Sequence, residues 1–448
     1  MPAVNALDVA LDHVYTFFKN ANIRISPLAV GVTSLALLLP LVAFFILALT
    51  QKEEKPSPPA GCRRIGLQGP SNLSDQHAKK YSQGAAPSEE NAWKVKALFI
   101  YPVKSCAGIE LDKTDVIRTG LQYDREFTFA QQVTGLPDLN GKVKSEWRFI
   151  TQRTFPRLAK VETEIWVPDP DASGYNKENE WVQSDGCLII RFPFTPDTEF
   201  SINGLKAYGK ILAAKLAGKP EPTAEFRIPF NPTKERIKKM KYRSEKMKIW
   251  TDIPTALNMS VEVPPELLAK LKYTLGVTNP LALFRIDTTQ YRELYMCAPK
   301  KDNVGFQPII GMQDSYPMHI MNLASVHDVS SKLPKGYSPL NALRYRANVY
   351  LTGPPAFNED EWKKARIGSL ECHISCRTTR CKLPNVDPET AITDRNQPST
   401  AMLKYRVIDD GSKCACLGMQ VTPLADGGIK IGDEVKVLER GEHHFLKE

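Results

Sequence analysis

The chain has 448 residues, of which 42% are apolar and 24% charged, and its formal net charge is +9. This length exceeds one ordinary hydrophobic core, so at least two domains are expected, and the composition excludes a chain that is disordered throughout. The positive charge is compatible with an anionic cofactor, an acidic protein or a membrane surface. Nucleic acid is not an expected partner, because no long basic tract with interleaved aromatic residues occurs.

The N-terminal region contains an apolar segment. Residues 25–51 carry no charged side chain and follow a short N-terminal segment, residues 1–24. About 20 apolar residues are enough to cross a bilayer, so this segment predicts one transmembrane helix, kinked at Pro40. A signal peptide or a core helix is disfavoured, because the apolar run is too long and, for a signal peptide, starts too late. Lys52 and Lys55 directly after it favour a single-pass protein with its C-terminal body in the cytosol.

The next segment and the cysteines are consistent with that arrangement. Residues 52–92 are rich in Pro, Gly, Ser and charge, a composition typical of a flexible linker. The chain contains nine cysteines, an odd number that is scattered along its length. This usage indicates reduced thiols and disfavours a disulfide framework.

The remaining sequence predicts two β-rich domains. Short apolar strands such as "CLIIRFPF", separated by turn residues, predict a β-rich domain of barrel or sandwich type over residues 93–250. Residues 251–310 are interpreted as a connecting or insert region, with a short helix that ends at Gly276. Residues 311–442 form the second domain, in which Asn322 is expected to cap a helix. A predicted C-terminal hairpin, "GGIKIGDEVKVLER", would close a second barrel. The predicted fold is therefore mainly β with some α, with two β-barrel domains preceded by one transmembrane helix.

The stretch "SCRTTRCKLPNVDPET", residues 375–390, carries the clearest chemical signal. Cys381 lies beside Arg377 and Arg380, and cationic neighbours stabilise a thiolate, which is both a nucleophile and a soft metal ligand. Pro384 and Pro388 stiffen the following chain. A nucleophilic or sulfur-carrying cysteine, a zinc ligand and a ligand to a heavier soft metal all remain open. Structural zinc is disfavoured, because the cysteine spacings are not those of paired zinc knuckles.

Several motifs together resemble a known family. "RCKLPNVDPET", "LKYR" and "GGIKIGDEVKVL" resemble the MOSC domain, the C-terminal type of molybdenum-cofactor sulfurases. "LFIYPVKSCAGIEL" resembles the MOSC N-terminal β-barrel domain, and "RYRANVYLTG" and "FNEDEWKKARIG" extend the likeness over most of residues 93–442. With the predicted anchor in front, the chain is similar to the mitochondrial amidoxime-reducing components, of a fungal type with longer loops.

The resemblance implies a molybdenum cofactor (Mo-molybdopterin) with Cys381 as metal ligand and catalytic residue, and with Cys376 as a weaker alternative. The cofactor contacts that it implies are Lys104, Ser105, Arg125, Ser315, Arg346, Asn348, Thr379 and Arg380. Thr379 stands where serine is common and Ala347 where proline is usual, and neither departure removes a ligand. Soft sulfur suits this metal, and cations suit the cofactor phosphate.

The implied reaction is the two-electron reduction of a small N-hydroxylated compound to the deoxygenated amine. No G-x-G-x-x-G fingerprint follows a strand, so the electrons must come from a partner. The family uses cytochrome b5 and cytochrome b5 reductase, which the basic residues 234–248 would suit. The resemblance also implies lipid contact through the N-terminal helix and the mitochondrial outer membrane. Two alternatives are a sulfur carrier or cofactor-handling protein with a persulfide on Cys381, and a cofactor-binding scaffold without turnover.

Overall fold

The computed structural model describes residues 16, 27–50, 57–88, 92–137, 140–141, 143–198 and 201–445. The chain divides into two compact units. Unit 1 combines Met1–Pro56 with Thr195–Pro222, and unit 2 combines Ser57–Phe194 with Thr223–Glu448. Every residue of the candidate site belongs to unit 2.

The described helices are short apart from three. The α-helices are α1 (Pro27–Thr50), α2 (Glu180–Gln183), α3 (Ile202–Leu216), α4 (Lys234–Met240), α5 (Pro265–Leu275), α6 (Lys301–Val304), α7 (Leu323–Ser331) and α8 (Ser399–Leu403). Single turns of 3-10 helix occur at Lys79–Tyr81, Pro156–Lys160, Ser260–Glu262, Ala342–Tyr345, Asn358–Glu361 and Leu383–Asn385. In unit 1, α1 and α3 contact each other.

The expected membrane-spanning helix needs correction. α1 covers most of residues 25–51 and contains Pro40, while positions 25, 26 and 51 lie outside the described residues. Within the part of the chain that the structure describes, no helix is long and apolar enough to cross a membrane. A membrane span requires about 20 consecutive apolar residues in one helix. The transmembrane helix, the single-pass membrane location and the lipid contact expected from the sequence are therefore not supported.

Strands make up most of unit 2. The first ten are β1 (Cys62–Arg64), β2 (Lys94–Ile100), β3 (Ile109–Leu111), β4 (Lys113–Ile117), β5 (Gly120–Leu121), β6 (Phe127–Thr134), β7 (Ser145–Phe149), β8 (Glu162–Pro168), β9 (Cys187–Pro193) and β10 (Thr223–Pro229). The others are β11 (Arg243–Lys248), β12 (Thr255–Asn258), β13 (Leu281–Ile286), β14 (Arg292–Glu293), β15 (Ile309–Ile310), β16 (Met318–Asn322), β17 (Val349–Thr352), β18 (Trp362–Ile367), β19 (Leu370–Thr379), β20 (Cys416–Pro423), β21 (Gly427–Lys430) and β22 (Val435–Arg440).

Five of these strands close a barrel in the order β11-β12-β13-β6-β7. All neighbouring pairs are antiparallel except β11 and β7, which run parallel. Strands β12 and β13 come from residues 251–310, so part of that segment completes a barrel whose other strands lie within residues 93–250. The domain boundaries predicted from the sequence stay predictions.

The second large element is an eight-stranded sheet in the order β22-β18-β19-β20-β16-β17-β2-β3. The early strand β2 pairs with β17, with Leu98 opposite Val349. Side chains alternate along β2: Leu98 and Ile100 join one core cluster, whereas Ala97 and Phe99 join another. Because successive residues of a strand point to opposite faces, this sheet is buried on both faces, which explains the continuous apolar run "ALFIY".

The predicted C-terminal hairpin does not form. β21 pairs with β4, whereas β22 pairs with β18, so the two strands belong to different sheets. Asp433 accepts a hydrogen bond from the backbone N–H of Lys430 at 2.9 Å, so the turn between them does form. The sequence predicted the local turn correctly. The partner of each strand, however, is a strand far away along the chain.

Candidate cofactor site

Lys104 lies in the turn after β2 and is only 4% exposed. Its Nζ donates to the carbonyl oxygen of Met312 at 2.9 Å and to Oδ1 of Asp314 at 2.7 Å. Burial lowers the pKa of Lys104 to about 8, and the carboxylate of Asp314 limits that fall. The lysine is therefore mostly cationic at neutral pH and is fixed in position by two acceptors.

The two predicted serines lie next to these groups. Ser105 is 5% exposed and has φ +67°. Such a left-handed backbone is uncommon for a residue with a side chain, and here it turns the chain between β2 and β3. Ser315 directly follows Asp314 and is half-buried. Both serines therefore flank the Lys104–Asp314 ion pair.

Arg125 and Arg346 form the centre of the site. Arg125 pairs with Asp124, and its Nη2 donates to the carbonyl oxygen of Arg346 at 3.1 Å. Both guanidinium groups lie over the ring of Tyr101, 4.7 Å and 4.1 Å from its centroid. Burial lowers the pKa of Arg346 but leaves it a cation. Two positive charges thus share one aromatic ring, and among the residues that the structure describes only that of Arg125 is paired with a carboxylate.

Asn348 connects this pair of arginines to the next strand. It is 1% exposed, and its Oδ1 accepts from Nη1 of Arg125 at 3.3 Å and from the backbone N–H of His319 at 3.1 Å. Its Nδ2 donates to the carbonyl oxygen of Phe99 at 3.1 Å. The amide, in the turn before β17, is thus held at once by β2, by β16 and by Arg125 from the turn between β5 and β6.

Arg380 extends the cluster toward the cysteine loop. Its Nε donates to the carbonyl oxygen of Leu417 at 2.8 Å, and its Nη2 contacts Nε2 of His319 at 2.6 Å. Burial lowers the pKa of Arg380 to about 10. Burial and the charge of Arg380 hold the pKa of His319 well below its usual value, so the ring is neutral and its Nε2 accepts the bond. Thr379, the residue before Arg380, ends β19 opposite Cys416.

Cys381 follows directly and is exposed. Its sulfur accepts a hydrogen bond from the backbone N–H of Leu383 at 3.4 Å, which positions the thiol at the start of the Pro-containing turn. Arg377 does not face this sulfur: it donates to the carbonyl oxygen of His443 at 2.9 Å and pairs with Asp409. Of the two arginines that flank the loop, only Arg380 is directed to the site.

Cys376, the weaker alternative for the metal ligand, lies elsewhere. It is fully buried in a small apolar cluster with Leu294, Ile310 and Tyr316. Side-chain contact with Cys297 and burial raise its pKa well above the usual value. A thiol that is neutral and enclosed by apolar side chains is a poor candidate for a metal ligand.

Several site residues were not singled out from the sequence. Asp124, Asp314, His319 and Tyr101 each bind or stack against a predicted residue. Asp124 and Asp314 directly precede predicted residues, so adjacency was the available signal for them. His319 lies inside a buried strand and offered no signal, since an isolated histidine there is usually a core residue.

A cavity of about 880 Å³ lies elsewhere in unit 2 and includes none of the predicted site residues. Residues of β1, β4 and β21 line it, with charges of both signs, among them Arg63, Lys113, Asp115 and Lys430. We do not assign the cofactor to this cavity, because it contains no cysteine and its charges are largely balanced. The partly buried cations around Tyr101 are the better match to an anion.

The residues around Tyr101 suit an anionic group with a soft metal. Lys104, Arg125, Arg346 and Arg380 supply cations, and Cys381 supplies an exposed sulfur. Among the described residues, Nη2 of Arg346 is buried and has no hydrogen-bond acceptor. A buried unpaired donor is costly, so this atom suits an incoming phosphate or pterin oxygen. The donor set fits the molybdenum cofactor.

Two family models match the chain. The MOSC N-terminal β-barrel domain matches residues 92–214, and the MOSC domain matches residues 307–436. All predicted site residues lie in these two matched segments.

Curated relatives extend over both domains. Mitochondrial amidoxime reducing component 2 of Rattus norvegicus is 30% identical over 352 residues, which cover 76% of this chain and 82% of the relative. Mitochondrial amidoxime-reducing component 1 of Mus musculus is 23% identical over 356 residues, 77% of this chain and 82% of the relative. Molybdenum cofactor sulfurase of Arabidopsis thaliana is 23% identical over 320 residues, which cover 70% of this chain but only 31% of that protein. The chain therefore belongs to the family of mitochondrial amidoxime-reducing components, which combine a MOSC N-terminal β-barrel domain with a MOSC domain.

Proposed function

We propose that the chain is a molybdenum-cofactor-dependent oxidoreductase that reduces small N-hydroxylated compounds. The observation that carries the proposal is a continuous hydrogen-bond network that ends at Arg380, the residue before the exposed Cys381. It runs from Lys104 through Met312 to Arg125, and then through Asn348 and His319 to Arg380. These residues come from segments more than 200 positions apart, as the Lys104–Asp314 and Arg125–Asn348 contacts show. Family membership supports the same reading.

In this proposal, each group has a distinct role. Cys381 is the protein ligand to the metal, and the exposed thiol on a stiff turn leaves one side open. Arg346 and Arg125 hold the phosphate or pterin oxygens, and Asn348 orients Arg125 by accepting a hydrogen bond from its Nη1. Lys104 adds a fixed positive charge, while Ser105, Ser315 and Thr379 offer hydroxyl groups beside it. When bound, the cofactor would supply the two-electron redox chemistry that reduction of an N–O bond requires.

Two further residues, His319 and Tyr101, fix the positions of the arginines in the site. His319 is neutral and fixes Arg380 by accepting its hydrogen bond, so the guanidinium keeps one orientation beside the ligand cysteine. Tyr101 is buried and has both arginines stacked on its ring, so it fixes their positions at the inner side of the site. Preorganised charges of this kind act without rearrangement during the reaction.

The electrons come from a protein partner in this proposal, and we infer cytochrome b5 with its reductase. The segment 234–248 forms α4 and β11 and contains several exposed lysines, which suit an acidic cytochrome through electrostatic steering. Arg236 is not available for such docking, because it is paired with Glu262 and Glu180.

The proposal can be tested on the full chain from a host that makes the molybdenum cofactor. We expect molybdenum and pterin to copurify in equal amounts, and N-hydroxylated compounds to be reduced with reduced cytochrome b5 or a chemical reductant. Absence of both metal and pterin would overturn the proposal.

A second candidate function is sulfur transfer through a persulfide on Cys381. The exposure of this thiol favours it, as does the likeness to a molybdenum cofactor sulfurase. Mass spectrometry of the purified chain distinguishes the two. An added sulfur atom on Cys381 together with no reductase turnover would favour the carrier, whereas bound molybdenum with turnover favours the reductase.

A further inference from the structure

An exposed tryptophan stands beside the Lys104–Asp314 ion pair. Trp250 lies in the turn between β11 and β12 and is 45% exposed. Its indole Nε1 donates to Oδ1 of Asp314 at 2.8 Å, and the same oxygen accepts from Nζ of Lys104 at 2.7 Å. One carboxylate oxygen thus ties the indole to a buried cation of the candidate site.

Two more side chains complete a small platform, which we define as Trp250, Phe149 and Arg153. The Phe149 ring meets the Trp250 ring edge-to-face, with centroids 5.1 Å apart. The guanidinium of Arg153 lies over the indole, 4.9 Å from its centroid. Arg153 is exposed, and no ion pair joins it to a carboxylate in the described ranges. Its positive charge therefore stays open to solvent at the mouth of the site.

The platform is held rigidly in spite of its exposure. Trp250 has φ +52°, a left-handed conformation that is rare and costly for a bulky residue and persists only where neighbours enforce it. Ile249 and Asp252 exchange two backbone hydrogen bonds of 2.9 Å across the turn. Asp252 also pairs with Arg292, whose Nη1 donates to the carbonyl oxygen of Gln313 at 2.7 Å. The turn is therefore fastened to the segment that carries Asp314.

We propose that the platform binds the planar, uncharged aryl part of an aromatic N-hydroxylated substrate, with Trp250 and Arg153 as specificity-determining residues. This inference rests on the proposed function. An indole with an adjacent guanidinium is well suited to a flat π-system, since both groups stack on aromatic faces. An exposed tryptophan in an enforced conformation leaves apolar area that a ligand ring can cover.

The charges of the platform indicate which ligands are favoured. Lys104 lies 5.4 Å from the centroid of Phe149, so a buried cation and the exposed Arg153 flank the aromatic rings. An aryl amidoxime is uncharged near neutral pH, whereas the amidine formed from it is a protonated cation. Arg153 therefore does not oppose an uncharged substrate ring, and the charge of Lys104 is balanced by the adjacent carboxylate of Asp314.

The test measures binding and turnover separately on the full-length holoprotein. Binding of an aryl amidoxime to the oxidised protein, without an electron donor, is followed by calorimetry. Turnover is followed with a chemical reductant, using the aryl amidoxime and hydroxylamine as substrates. We expect Trp250→Ala to raise both Kd and KM for the aryl compound about 3- to 10-fold, the range of one aromatic pair. Turnover of hydroxylamine per bound molybdenum should fall less than turnover of the aryl compound, because hydroxylamine has no ring to stack.

Matched variants separate stacking from other roles. Trp250→Phe keeps a ring without the N–H and should retain most of the binding, and Arg153→Lys should retain more than Arg153→Gln. Tyr273→Ala is the control, because Tyr273 is 78% exposed and meets Phe194 instead. Aryl binding and KM unchanged in Trp250→Ala would overturn the inference. The inference would also be overturned if Trp250→Ala lost turnover only with cytochrome b5 as electron donor. That result would assign the platform to protein docking.

The two proposals fail in different ways. If the wild-type holoprotein binds the aryl amidoxime through Trp250 but reduces no N-hydroxylated compound, then the proposed function fails while the binding surface remains. If the wild type and Trp250→Ala reduce hydroxylamine and the aryl compound equally well, only the platform is wrong.

Discussion

Arg380 and His319 are joined by a hydrogen bond of 2.6 Å between Nη2 and Nε2, and the imidazole is neutral because burial and the charge of Arg380 lower its pKa. The pair links β16 to the end of β19, directly before the exposed Cys381. A buried cation here is oriented by a neutral acceptor, so its positive charge remains available to the site.

Replacing the cysteine separates metal binding from folding. We expect Cys381→Ser to lose at least 100-fold in N-reduction, because serine oxygen is a hard ligand and the site calls for soft sulfur. The free energy of unfolding should change by less than about 0.5 kcal/mol, because the side chain is exposed. Cys414→Ser, which also alters an exposed cysteine, should keep full activity. Full activity in Cys381→Ser would move the ligand elsewhere.

Removing the buried lysine charge should weaken cofactor retention. Lys104→Met keeps most of the buried volume, while Asp314, whose side chain is 58% exposed, can remain ionised in water. Molybdenum and pterin per chain should fall several-fold, and turnover per bound molybdenum should fall less. Metal analysis and kinetics on the same preparation measure both. Unchanged metal content with lost turnover would instead indicate a substrate contact; Lys113→Met, on β4, is the control.

The His319–Arg380 contact predicts an effect of pH on stability. The folded pKa of His319 lies well below its unfolded value of 6.5. The stability is therefore fully present above pH 6.5 and is lost as the pH falls toward the folded pKa, because only the unfolded state takes up the proton. His319→Gln keeps an acceptor for Arg380 without titrating, so its stability should fall less with acid. Urea unfolding at several pH values measures this, and parallel curves for both proteins would contradict it.

Glu359 should make the protein less stable as the pH rises, which is opposite to the effect of His319. It is fully buried, its Oε1 accepts from the Ser325 hydroxyl at 2.6 Å, and burial and the charge of Asp360 raise its pKa to about 7. The folded state keeps this proton where the unfolded state has released it. The stability is therefore full below about pH 4.5 and is lost as the pH rises through about 7, by about 3 kcal/mol at most.

The variant Glu359→Gln removes this titration. A glutamine oxygen can still accept from Nδ2 of Asn322, and its amide can donate to the Ser325 hydroxyl. The free energy of unfolding should then decline less between pH 4.5 and 7 than in the wild type. Glu361→Gln, an exposed neighbour, should follow the wild-type curve. A wild-type slope that survives in Glu359→Gln would assign the effect to another group.

Local signals in the sequence predicted several element ends correctly. Asn322 caps α7 by accepting from the backbone N–H of Ala324 at 3.1 Å, and Gly276 ends α5 with φ +73°. These features depend on neighbours within a few residues, so the sequence contains all that they require. The sequence also predicted β21 and β22 as strands. Their pairing was predicted wrongly, because each strand pairs with one that is distant along the chain.

The candidate site shows the same division. Most of the predicted cofactor contacts lie in the motifs around Lys104, Arg346 and Cys381. These motifs could be recognised because cationic and thiol side chains suit an anionic cofactor with a soft metal. His319 and Trp250 could not be singled out, since each acts through a residue distant in sequence: 61 and 64 positions away. Likewise the apolar run around Pro40 predicted a membrane span that the described helices do not support.

The amino-acid sequence by itself determined the strand-rich composition, the helix caps, the cysteine on a stiff loop and the family. These are properties of residue type and of short-range backbone preference. Only the tertiary structure decided which strands share a sheet, that Arg377 turns away while Arg380 turns in, and that an exposed indole lies beside Lys104. The physical reason is that long-range pairing depends on burying complementary surfaces from distant segments, and no local pattern specifies that choice.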